Sequence, residues 1–351
     1  LAGLAAGLFS ISAVLLRPFI GWILDHRGRR PALLLGLSAM VVFPLLYRAF
    51  PWLLLVISLR VVHGLGWSSA TTALNTSASD SIPRRRFAEG MGYFGLTSAL
   101  ATAIAPGLGL AIMNGQGSQR LLDWAALAAL LSLLLSLWMG RTALPRPASR
   151  PGWRFSLKTL VDKDAAPAAL IILLFLIPYG GITTFVAMYA ADLGLGSGGL
   201  YFTCLAAATA LMRLLTGRTA DRYGEGPLVW AGIGCELGSL LLLASRPAFP
   251  GFILSALLFG AAFGMLSPAL QAMALRIVPL ERRGGASSTF LCGYDIGIGL
   301  GGMIPGQLVK TFDYALAYGL LTAFALLALA AYWFWGRKSP SAFRKGRAKG
   351  G

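Results

Sequence analysis

The sequence predicts an all-α membrane protein built from two similar helical bundles, and three observations support this fold class. Hydrophobic residues make up 56% of the 351 residues and charged residues only 12%, whereas charged residues are about 25% of an ordinary soluble domain. The apolar residues form long blocks, each close to the roughly 20 residues that a helix needs to cross the hydrocarbon core. One short pattern also recurs at a constant separation in both halves of the sequence.

Eleven apolar blocks are candidate transmembrane helices. None of them alternates with a period of two, and lipid requires each segment to close its own backbone hydrogen bonds, so we expect helices rather than a β-barrel. The first block has neither a basic region before it nor a small-residue cleavage site, so we interpret it as a span and not as a signal peptide. The blocks lie near residues 1–24, 31–48, 52–79, 90–113, 121–140, 166–191, 198–217, 227–245, 251–277, 285–309 and 315–336.

The net charge of +17 is explained by membrane topology rather than by nucleic-acid binding. If the 25–30 loop is cytoplasmic, 22 of the 30 Lys and Arg residues fall on its side of the membrane and four on the other. This is the positive-inside pattern, and it predicts a multi-pass membrane protein whose segment 141–165 and C-terminus are cytoplasmic. We expect the membrane to be a bacterial inner membrane. We expect a lipid bilayer around the chain and no nucleic-acid partner.

The sequence has few residues of the kinds that catalyse reactions or bind metals. Cys204, Cys235 and Cys292 lie inside candidate helices without metal-ligand spacing, and the two histidines are His26 and His63. The sequence contains no nucleophile–base set and no phosphate-binding loop. We therefore expect neither an enzyme nor a bound cofactor or metal, and the lack of a nucleotide-binding motif argues against a primary pump.

The two halves of the sequence are related by an internal repeat, which is typical of duplication. The matching positions, each 196 residues apart, are Arg17 and Arg213, Gly21 and Gly217, Asp25 and Asp221, and Gly28 and Gly224. The repeat predicts an N-terminal helical bundle over 1–140 and a C-terminal bundle over 166–336. Because the second half has six candidate helices and the first has five, we expect one further helix before residue 1.

Two polar segments flank the second bundle. Residues 141–165 are rich in proline and basic residues and predict a cytoplasmic linker. Residues 337–351 form a basic cytoplasmic tail.

The stretch Gly21-x-x-x-Asp25-x-x-Gly28-Arg29-Arg30 resembles the loop signature between the second and third helices of the major facilitator superfamily. The resemblance covers essentially the whole chain, and the second half repeats the signature at Gly217, Asp221 and Gly224. It implies two six-helix bundles around a site near the middle of the membrane. It also implies a secondary transporter of a small molecule, which we expect to act as a monomer.

The signature has a physical rationale as a conformational gate. Gly21 allows another helix to pack closely, and the Asp25 carboxylate can lie against the positive N-terminal end of a neighbouring helix. Arg29 and Arg30 can pair with acids or lipid phosphates, or they can simply follow the positive-inside rule.

Two further stretches resemble family signatures. Arg60-x-x-His63-Gly64 is similar to one associated with proton coupling, with His63 where glutamine is usual, and an arginine inside a span is a functional candidate by default. We expect a hydrogen-bonded packing role for His63. Gly95 followed by Ala105, Pro106, Gly107 and Gly109 resembles the signature of antiporters, although Gly and Pro are common in membrane helices anyway.

The other candidate residues are two acids and a set of cavity residues. Glu236 and Asp295 lie inside candidate helices, where acids relay protons or make structural hydrogen bonds. In this family the first, fourth, seventh and tenth helices line the cavity, and stripes of aromatic and polar residues there suit an amphipathic solute or reflect packing alone. The matching residues are His63, Trp67, Thr71, Asn75, Tyr179, Thr183, Phe259, Phe263, Ser267 and Gln271.

These resemblances favour proton-coupled export, that is, antiport of a small amphipathic molecule or metabolite by alternating access. The coupling would involve protons, with Arg60, Asp295 and Glu236 as the candidates. The alternative is a proton symporter or a facilitator that imports a sugar, an organic acid or an osmolyte. A membrane-embedded enzyme or a non-transporting scaffold is a different class, and the sequence shows no motif for the former.

Overall fold

The structure is a computed structural model and describes residues 2–50, 52–138, 161–195 and 198–336. Within these ranges the chain is helical and contains no strand, which confirms the all-α prediction. The helices are α1 (Ala2–Arg27), α2 (Arg29–Ala49), α3 (Leu53–Ser81), α4 (Phe87–Trp138), α5 (Ala166–Asp192), α6 (Gly199–Tyr223), α7 (Gly226–Ala244), α8 (Phe249–Arg276), α9 (Arg283–Thr311) and α10 (Tyr314–Phe334). Residues 141–160 of the predicted linker (141–165) and the whole predicted tail (337–351) lie outside the described residues.

Helix α4 is interrupted at one residue, Gly117, whose φ of 85° and ψ of 169° are not helical. The interruption divides α4 into two arms, 87–116 and 118–138. A glycine suits this position because φ is positive there, and side chains disfavour that conformation. The sequence predicted two helices separated by seven residues, 114–120, whereas the structure joins them through a single residue.

The repeat inferred from the sequence extends to the helix boundaries. A shift of 196 residues carries the second arm of α4, 118–138, onto α10, and the short 3₁₀ helix Arg84–Arg86 onto its counterpart Leu280–Arg282. It also relates individual contacts. A Cβ added at Gly64 would lie 2.4 Å from the carbonyl oxygen of Phe9, and one at Gly260 would lie 2.3 Å from that of Leu205. Equivalent helices therefore pack through equivalent glycines.

The chain forms two compact units, and each contains a segment from the other half of the sequence. Of the described residues, the first unit comprises 2–81, 104–138, 161–162 and 278–292. The second unit comprises 82–103, 163–277 and 293–336. The beginning of α4 packs with the second-half helices, and the beginning of α9 packs with the first-half helices. The two units therefore do not follow the bundle boundaries expected from the sequence at 140 and 166.

The core of the first unit lies where α1, α2 and α3 meet. Leu24 and Ala73 are fully buried there, and Leu33 and Leu37 of α2 are nearly so. Small residues allow the helices to approach closely, since a Cβ added at Gly36 would lie 2.3 Å from the backbone nitrogen of Ala70. Small residues at helix crossings are the usual way in which helices pack in lipid.

The core of the second unit is formed by α5, α7, α8 and α10, with α6 packed on α8. Phe175, Phe259 and Leu266 are fully buried. The hydroxyl of buried Tyr189 donates to the backbone carbonyl of Leu243 at 2.8 Å, which ties α5 to the end of α7.

Eight of the described helical segments are long and apolar enough to cross a membrane by length and composition alone. They are α2, most of α3, residues 111–138 of α4, α5, α6, α7, α8 and α10. Among the described helices, α9 falls below this composition because it is rich in glycine and contains Arg283, Asp295 and Lys310.

Candidate functional site

The first signature loop links α1 to the beginning of α9 within the first unit. Asp25 lies in the last turn of α1, and its two carboxylate oxygens accept hydrogen bonds from the backbone N–H groups of Gly284 at 2.7 Å and Gly285 at 2.8 Å. These N–H groups belong to the first turn of α9, where the helix leaves its backbone donors unsatisfied. The carboxylate is therefore placed at the positive end of a helix dipole.

The glycines of this loop are needed for its geometry. A Cβ added at Gly21 would lie 2.5 Å from Cβ of Ser288 and 2.7 Å from the carbonyl oxygen of Gly284. Gly28 separates α1 from α2 with a φ of 90°. Without side chains at these positions, α1 packs directly on α9 and the chain turns tightly into α2.

A buried ion network lies beside Asp25. Arg29 is 2% exposed and donates to Asp80 Oδ2 at 3.0 Å and to the carbonyl oxygens of Leu24 and Leu280. Arg283 donates to the other Asp80 oxygen at 3.3 Å and to the carbonyl of Ser79. Asp80 thus lies between two arginines, one at the start of α2 and one at the start of α9.

Sequence reasoning singled out Arg29 but missed Asp80 and Arg283. It also named Arg30, which is partly buried and makes none of the bonds in this network.

The second signature loop makes the equivalent contact within the second unit. Asp221, in the last turn of α6, accepts hydrogen bonds from the backbone N–H groups of Ala88 at 3.0 Å and Glu89 at 2.9 Å. These donors lie in the first turn of α4. A Cβ added at Gly217 would lie 2.6 Å from Cα of Glu89, so α6 packs on α4 as tightly as α1 packs on α9. Gly224 ends α6 with a φ of 93°.

Asp221 also has an ionic neighbour that the sequence did not point to. Arg276, at the end of α8, forms an ion pair with Asp221 and lies 2.9 Å from a carboxylate oxygen of fully buried Glu225. The Arg276 guanidinium also lies over the ring of Phe87, 5.8 Å from its centroid.

Glu89 adds a further charge cluster at the start of α4. Its carboxylate accepts two hydrogen bonds from Arg86, at 2.7 and 2.9 Å, and one from Arg218 at 3.1 Å. An open surface cleft of about 530 Å³ lies beside it. The cleft is lined by Arg85, Arg86, Glu89, Arg218, Asp221 and Arg222.

Arg60, predicted for proton coupling, and His63, predicted to line the cavity, lie in an aromatic environment in the first unit. The Arg60 guanidinium lies 5.2 Å from the ring centroid of Tyr47 and 5.9 Å from that of Phe9. His63 lies 3.0 Å from the Tyr47 hydroxyl and stacks on Phe43 with centroids 5.0 Å apart. His63 is therefore enclosed by rings and hydrogen-bonded to one of them.

The other predicted cavity residues of the first unit are divided among different environments. Trp67 is 43% exposed. The Thr71 hydroxyl accepts a hydrogen bond from Arg17 at 3.2 Å. Asn75 is buried and accepts a hydrogen bond from the Ser287 hydroxyl at 3.0 Å.

The predicted cavity residues of the second unit include an aromatic stack. Tyr179 and Phe263 are parallel, with centroids 4.8 Å apart, and Phe259 stacks on Phe175 at 5.6 Å. Arg213 lies over the ring of Phe263, 5.3 Å from its centroid.

The remaining cavity candidates of the second unit make few polar contacts. Ser267 and Gln271 are buried, and Thr183 is exposed and donates to the carbonyl of Tyr179.

The two intramembrane acids differ in their surroundings. Glu236 of α7 is fully buried, and neither of its carboxylate oxygens has a hydrogen-bond partner among the described residues. Asp295 is partly buried near the middle of α9. On either side of it, Gly293 and Gly297 bring α9 against the carbonyl oxygens of Ala169 and Leu173 in α5.

The antiporter-type stretch is described only in part. Gly95 lies against Arg213, because a Cβ added there would be 2.9 Å from a guanidinium nitrogen. Gly109 has only an ordinary contact, with Leu121. The surroundings of Pro106 and Gly107 lie outside the described residues, although both belong to α4.

Comparison with known families identifies the architecture that carries these loops. The sequence profile of the Major Facilitator Superfamily matches residues 1–245 and 168–351. The chain belongs to the major facilitator superfamily. It is accordingly a multi-pass membrane transporter.

Individual members of the superfamily are similar to this chain over most of its length. An uncharacterized MFS-type transporter of Burkholderia pseudomallei is 26% identical over 323 residues, which are 89% of this chain and 77% of the relative. The staphylopine export protein of Staphylococcus aureus is 22% identical over 334 residues, covering 90% of this chain and 82% of that protein.

Two solved structures share the fold. The human organic anion transporter MFSD10 matches with a TM-score of 0.80 and 17% identity, covering 94% of this chain and 83% of its own. The proton:xylose symporter XylE, bound to 6-bromo-6-deoxy-D-glucose, matches with a TM-score of 0.75 and 15% identity, covering 95% and 85%.

Proposed function

We propose that this transporter exports a small amphipathic molecule in exchange for protons by alternating access. The observation that carries the proposal is the buried carboxyl group of Glu236, which has no hydrogen-bond partner among the described residues. An ionised carboxylate in such a place costs several kcal/mol. Binding of a proton at Glu236 therefore stabilises the packed form of α7, and its release favours a rearrangement. A proton can couple to transport only if it changes the relative stability of two conformations in this way.

Asp295 is the second proton site of the proposal. It lies in α9, the helix whose first turn binds Asp25, so a change of charge at Asp295 acts on the same helix as the gate. Arg60 contributes a fixed positive charge held between Tyr47 and Phe9. This charge favours the ionised form of any acid that approaches it.

The proposed gates are the contacts of Asp25 with the start of α9 and of Asp221 with the start of α4. Each contact consists of two hydrogen bonds from backbone N–H groups to a carboxylate, and charge-assisted bonds of this kind are about twice as strong as neutral ones. Such contacts stabilise the conformation in which they are formed and are lost in the other one.

The direction of transport is inferred from two features. The stretch that begins at Gly95 resembles the signature of antiporters, and the staphylopine export protein is similar to 90% of this chain. We place the protein in a bacterial inner membrane, as a monomer, with the linker and the C-terminus on the cytoplasmic side.

The proposal is tested with purified full-length protein in liposomes that contain a pH-sensitive dye. Naphthalene-2-carboxylate, naphthalene-2-carboxamide and ethidium serve as anionic, neutral and cationic probes. We expect an imposed pH gradient to drive at least one probe across the membrane in the direction opposite to proton flow. The dye should report the accompanying movement of protons. Transport of every probe at a rate independent of the gradient would refute the coupling, and accumulation in the direction of proton flow would identify a symporter instead.

Two substitutions test the proposed proton sites. Glu236→Gln and Asp295→Asn keep the size of each side chain and remove its ability to ionise, so both variants should lose gradient-driven exchange. Asp123→Asn, which alters a partly buried acid paired with Arg48, is the matched control and should retain it. Full exchange in either test variant removes that acid from the mechanism.

A further inference from the structure

Arg213 is a buried arginine whose charge is not neutralised by any described acid. It lies in the middle of α6, its residue is 5% exposed, and no carboxylate lies within ion-pair distance of it in the described part of the chain. A charged side chain inside a span is costly and commonly marks the path of a substrate or an ion. The surroundings of Arg213 therefore call for a physical explanation.

The hydrogen bonds of Arg213 leave most of its capacity unused. A guanidinium has five N–H donors in a planar arrangement. One terminal nitrogen donates to the carbonyl oxygen of Gly95, and Nε is buried without an acceptor. A single neutral carbonyl is a poor partner for a buried cation, since hydrogen bonds to ionised acceptors are about twice as strong.

The repeat shows what Arg213 lacks. Its counterpart Arg17 donates to the hydroxyl groups of Thr71 and Thr72, each at 3.2 Å. The positions 196 residues after these threonines are Ser267 and Pro268. Proline has no hydroxyl group, and Ser267 makes no hydrogen bond to Arg213. The second half thus keeps the arginine without the two hydroxyl acceptors that bind its counterpart.

Flat aromatic surfaces lie next to the unused donors. The guanidinium lies over Phe263 at 5.3 Å, and Tyr179 is parallel to Phe263 with an interplanar angle of 11°. Phe263 is 7% exposed, so Tyr179, which is only partly buried, keeps more of its apolar surface uncovered in this stacked pair. The Arg213 guanidinium and the two rings together suit a ligand with a negative charge at one end and a planar apolar group at the other.

We propose that Arg213 recognises the carboxylate of a planar aromatic acid, and that the carbonyl of Gly95 occupies the place of that carboxylate in the present conformation. The aromatic body of the substrate would stack beside Tyr179 and Phe263. The carboxylate replaces the weaker acceptor and thereby frees the first arm of α4 from α6. Substrate binding and helix movement are then coupled through one guanidinium. This inference rests on the proposed export function and specifies its substrate class.

The test measures equilibrium binding to the purified full-length protein in lipid nanodiscs. The probes are naphthalene-2-carboxylate and naphthalene-2-carboxamide, which share a ring system and differ in charge at neutral pH. We expect the wild-type protein to bind the carboxylate at least about tenfold more tightly, which corresponds to about 1.4 kcal/mol. Equal binding of the two probes, tighter binding of the amide, or binding of neither overturns the proposal, and this comparison needs no variant.

Variants then assign the preference to a residue. Arg213→Gln should bind the two probes equally, and Arg213→Lys should retain part of the preference because it keeps the charge without the planar donors. Arg246→Gln removes an exposed arginine paired with Asp313 and should leave the preference unchanged. A full preference in Arg213→Gln overturns the assignment.

The outcomes also separate this inference from the export proposal. Proton-coupled exchange of ethidium or the amide without a preference for the carboxylate removes the anion site alone. A carboxylate preference without gradient-driven exchange removes the coupling alone.

Discussion

Arg29 and Glu225 occupy equivalent positions in the two halves of the chain, 196 residues apart, and carry opposite charges. Each forms an ion pair with the residue that the repeat predicts. Arg29 pairs with Asp80 in the first unit, and Glu225 pairs with Arg276 in the second. Asp80 and Arg276 are themselves 196 residues apart. The duplication has therefore preserved the pairing and exchanged the charges.

The exchange extends to a third position. Arg283 contacts Asp80 in the first unit, and its counterpart Phe87 lies under Arg276 in the second. A second arginine beside Arg276 would be repelled, whereas a ring attracts the cation. The residue type at this third position thus depends on the charge of the residue that it faces.

We predict that the first-unit network can be replaced by the second-unit set. Arg29→Glu alone should lower the apparent melting temperature by about 5 °C or more, because removing one partner of a buried pair costs about 3–5 kcal/mol. The triple variant Arg29→Glu, Asp80→Arg and Arg283→Phe should recover at least half of that loss. Fluorescence-detected thermal unfolding in detergent measures both effects.

The matched control for this exchange is the double variant Arg29→Glu and Asp80→Arg. It leaves Arg283 facing the new arginine, so it should be less stable than the triple variant. If the double variant is as stable as the triple one, the third position does not depend on the charge it faces.

A second prediction concerns the hydrogen bonds of Asp25. Asp25→Asn removes the negative charge at the start of α9, which should raise the population of the conformation in which α1 and α9 are apart by about tenfold, or 1.4 kcal/mol. Cys292 reports this separation, because its sulfur lies 3.7 Å from the carbonyl of Val14 in α1. In a background with Cys204 and Cys235 replaced by alanine, the rate of maleimide labelling at Cys292 should rise about tenfold.

The control for Asp25→Asn is Asp313→Asn in the same background. Asp313 caps the N-terminus of α10 by accepting a hydrogen bond from the backbone N–H of Leu316, and this hydrogen bond and its pairing with Arg246 lower the pKa of Asp313. Like Asp25, Asp313 accepts a hydrogen bond from the first turn of a helix. Unlike Asp25, it does not join α1 to α9 through this bond. An unchanged labelling rate in Asp25→Asn would show that its carboxylate does not hold the helices together.

A third prediction concerns the close packing at the signature glycines. Gly21→Ala and Gly217→Ala place a methyl group 2.5 Å from Ser288 and 2.6 Å from the Cα of Glu89, respectively. Overpacking of this kind typically costs about 1–3 kcal/mol, and it should reduce gradient-driven exchange. Gly234→Ala is the control, since a Cβ there meets nothing within 4 Å. If Gly21→Ala is as active and as stable as Gly234→Ala, close packing of α1 on α9 is not required.

The fold could be predicted from the sequence because two independent signals agreed. Hydropathy located the helices, and the repeat related Asp25 to Asp221 before any contact was known. The predicted break around Gly117 was too long, because the polar residues there suggested a loop of seven residues. In the structure one residue with a positive φ angle is enough to turn the chain.

The charge networks could not be predicted in the same way. Asp80, Arg283 and Glu225 looked like charges at the ends of spans, and that position alone does not indicate a partner. A signal was nevertheless present, because Arg29 and Glu225 carry opposite charges at equivalent positions, as do Asp80 and Arg276. A comparison of charge signs across the repeat would have paired them. The partners of Arg213 are a different case, because the packing of Gly95 against it depends on the helix crossing, and the repeat has Leu291 at the position equivalent to Gly95.

The last prediction concerns Gly95 and Arg213. In Gly95→Ala the new methyl group would lie 2.9 Å from a guanidinium nitrogen and 3.3 Å from Cζ, so the flexible end of Arg213 must move away from the carbonyl of Gly95. A displaced guanidinium no longer has the peptide carbonyl as a competing acceptor, and we expect naphthalene-2-carboxylate to bind several-fold more tightly while the amide is unaffected. Gly92→Ala is the matched control on the same arm of α4, because its Cβ would meet the backbone carbonyl of Arg213 at 3.1 Å and not the guanidinium. Equilibrium binding in nanodiscs measures the ratio, and an equal change for both probes would mean that Gly95 affects packing and not the recognition of charge.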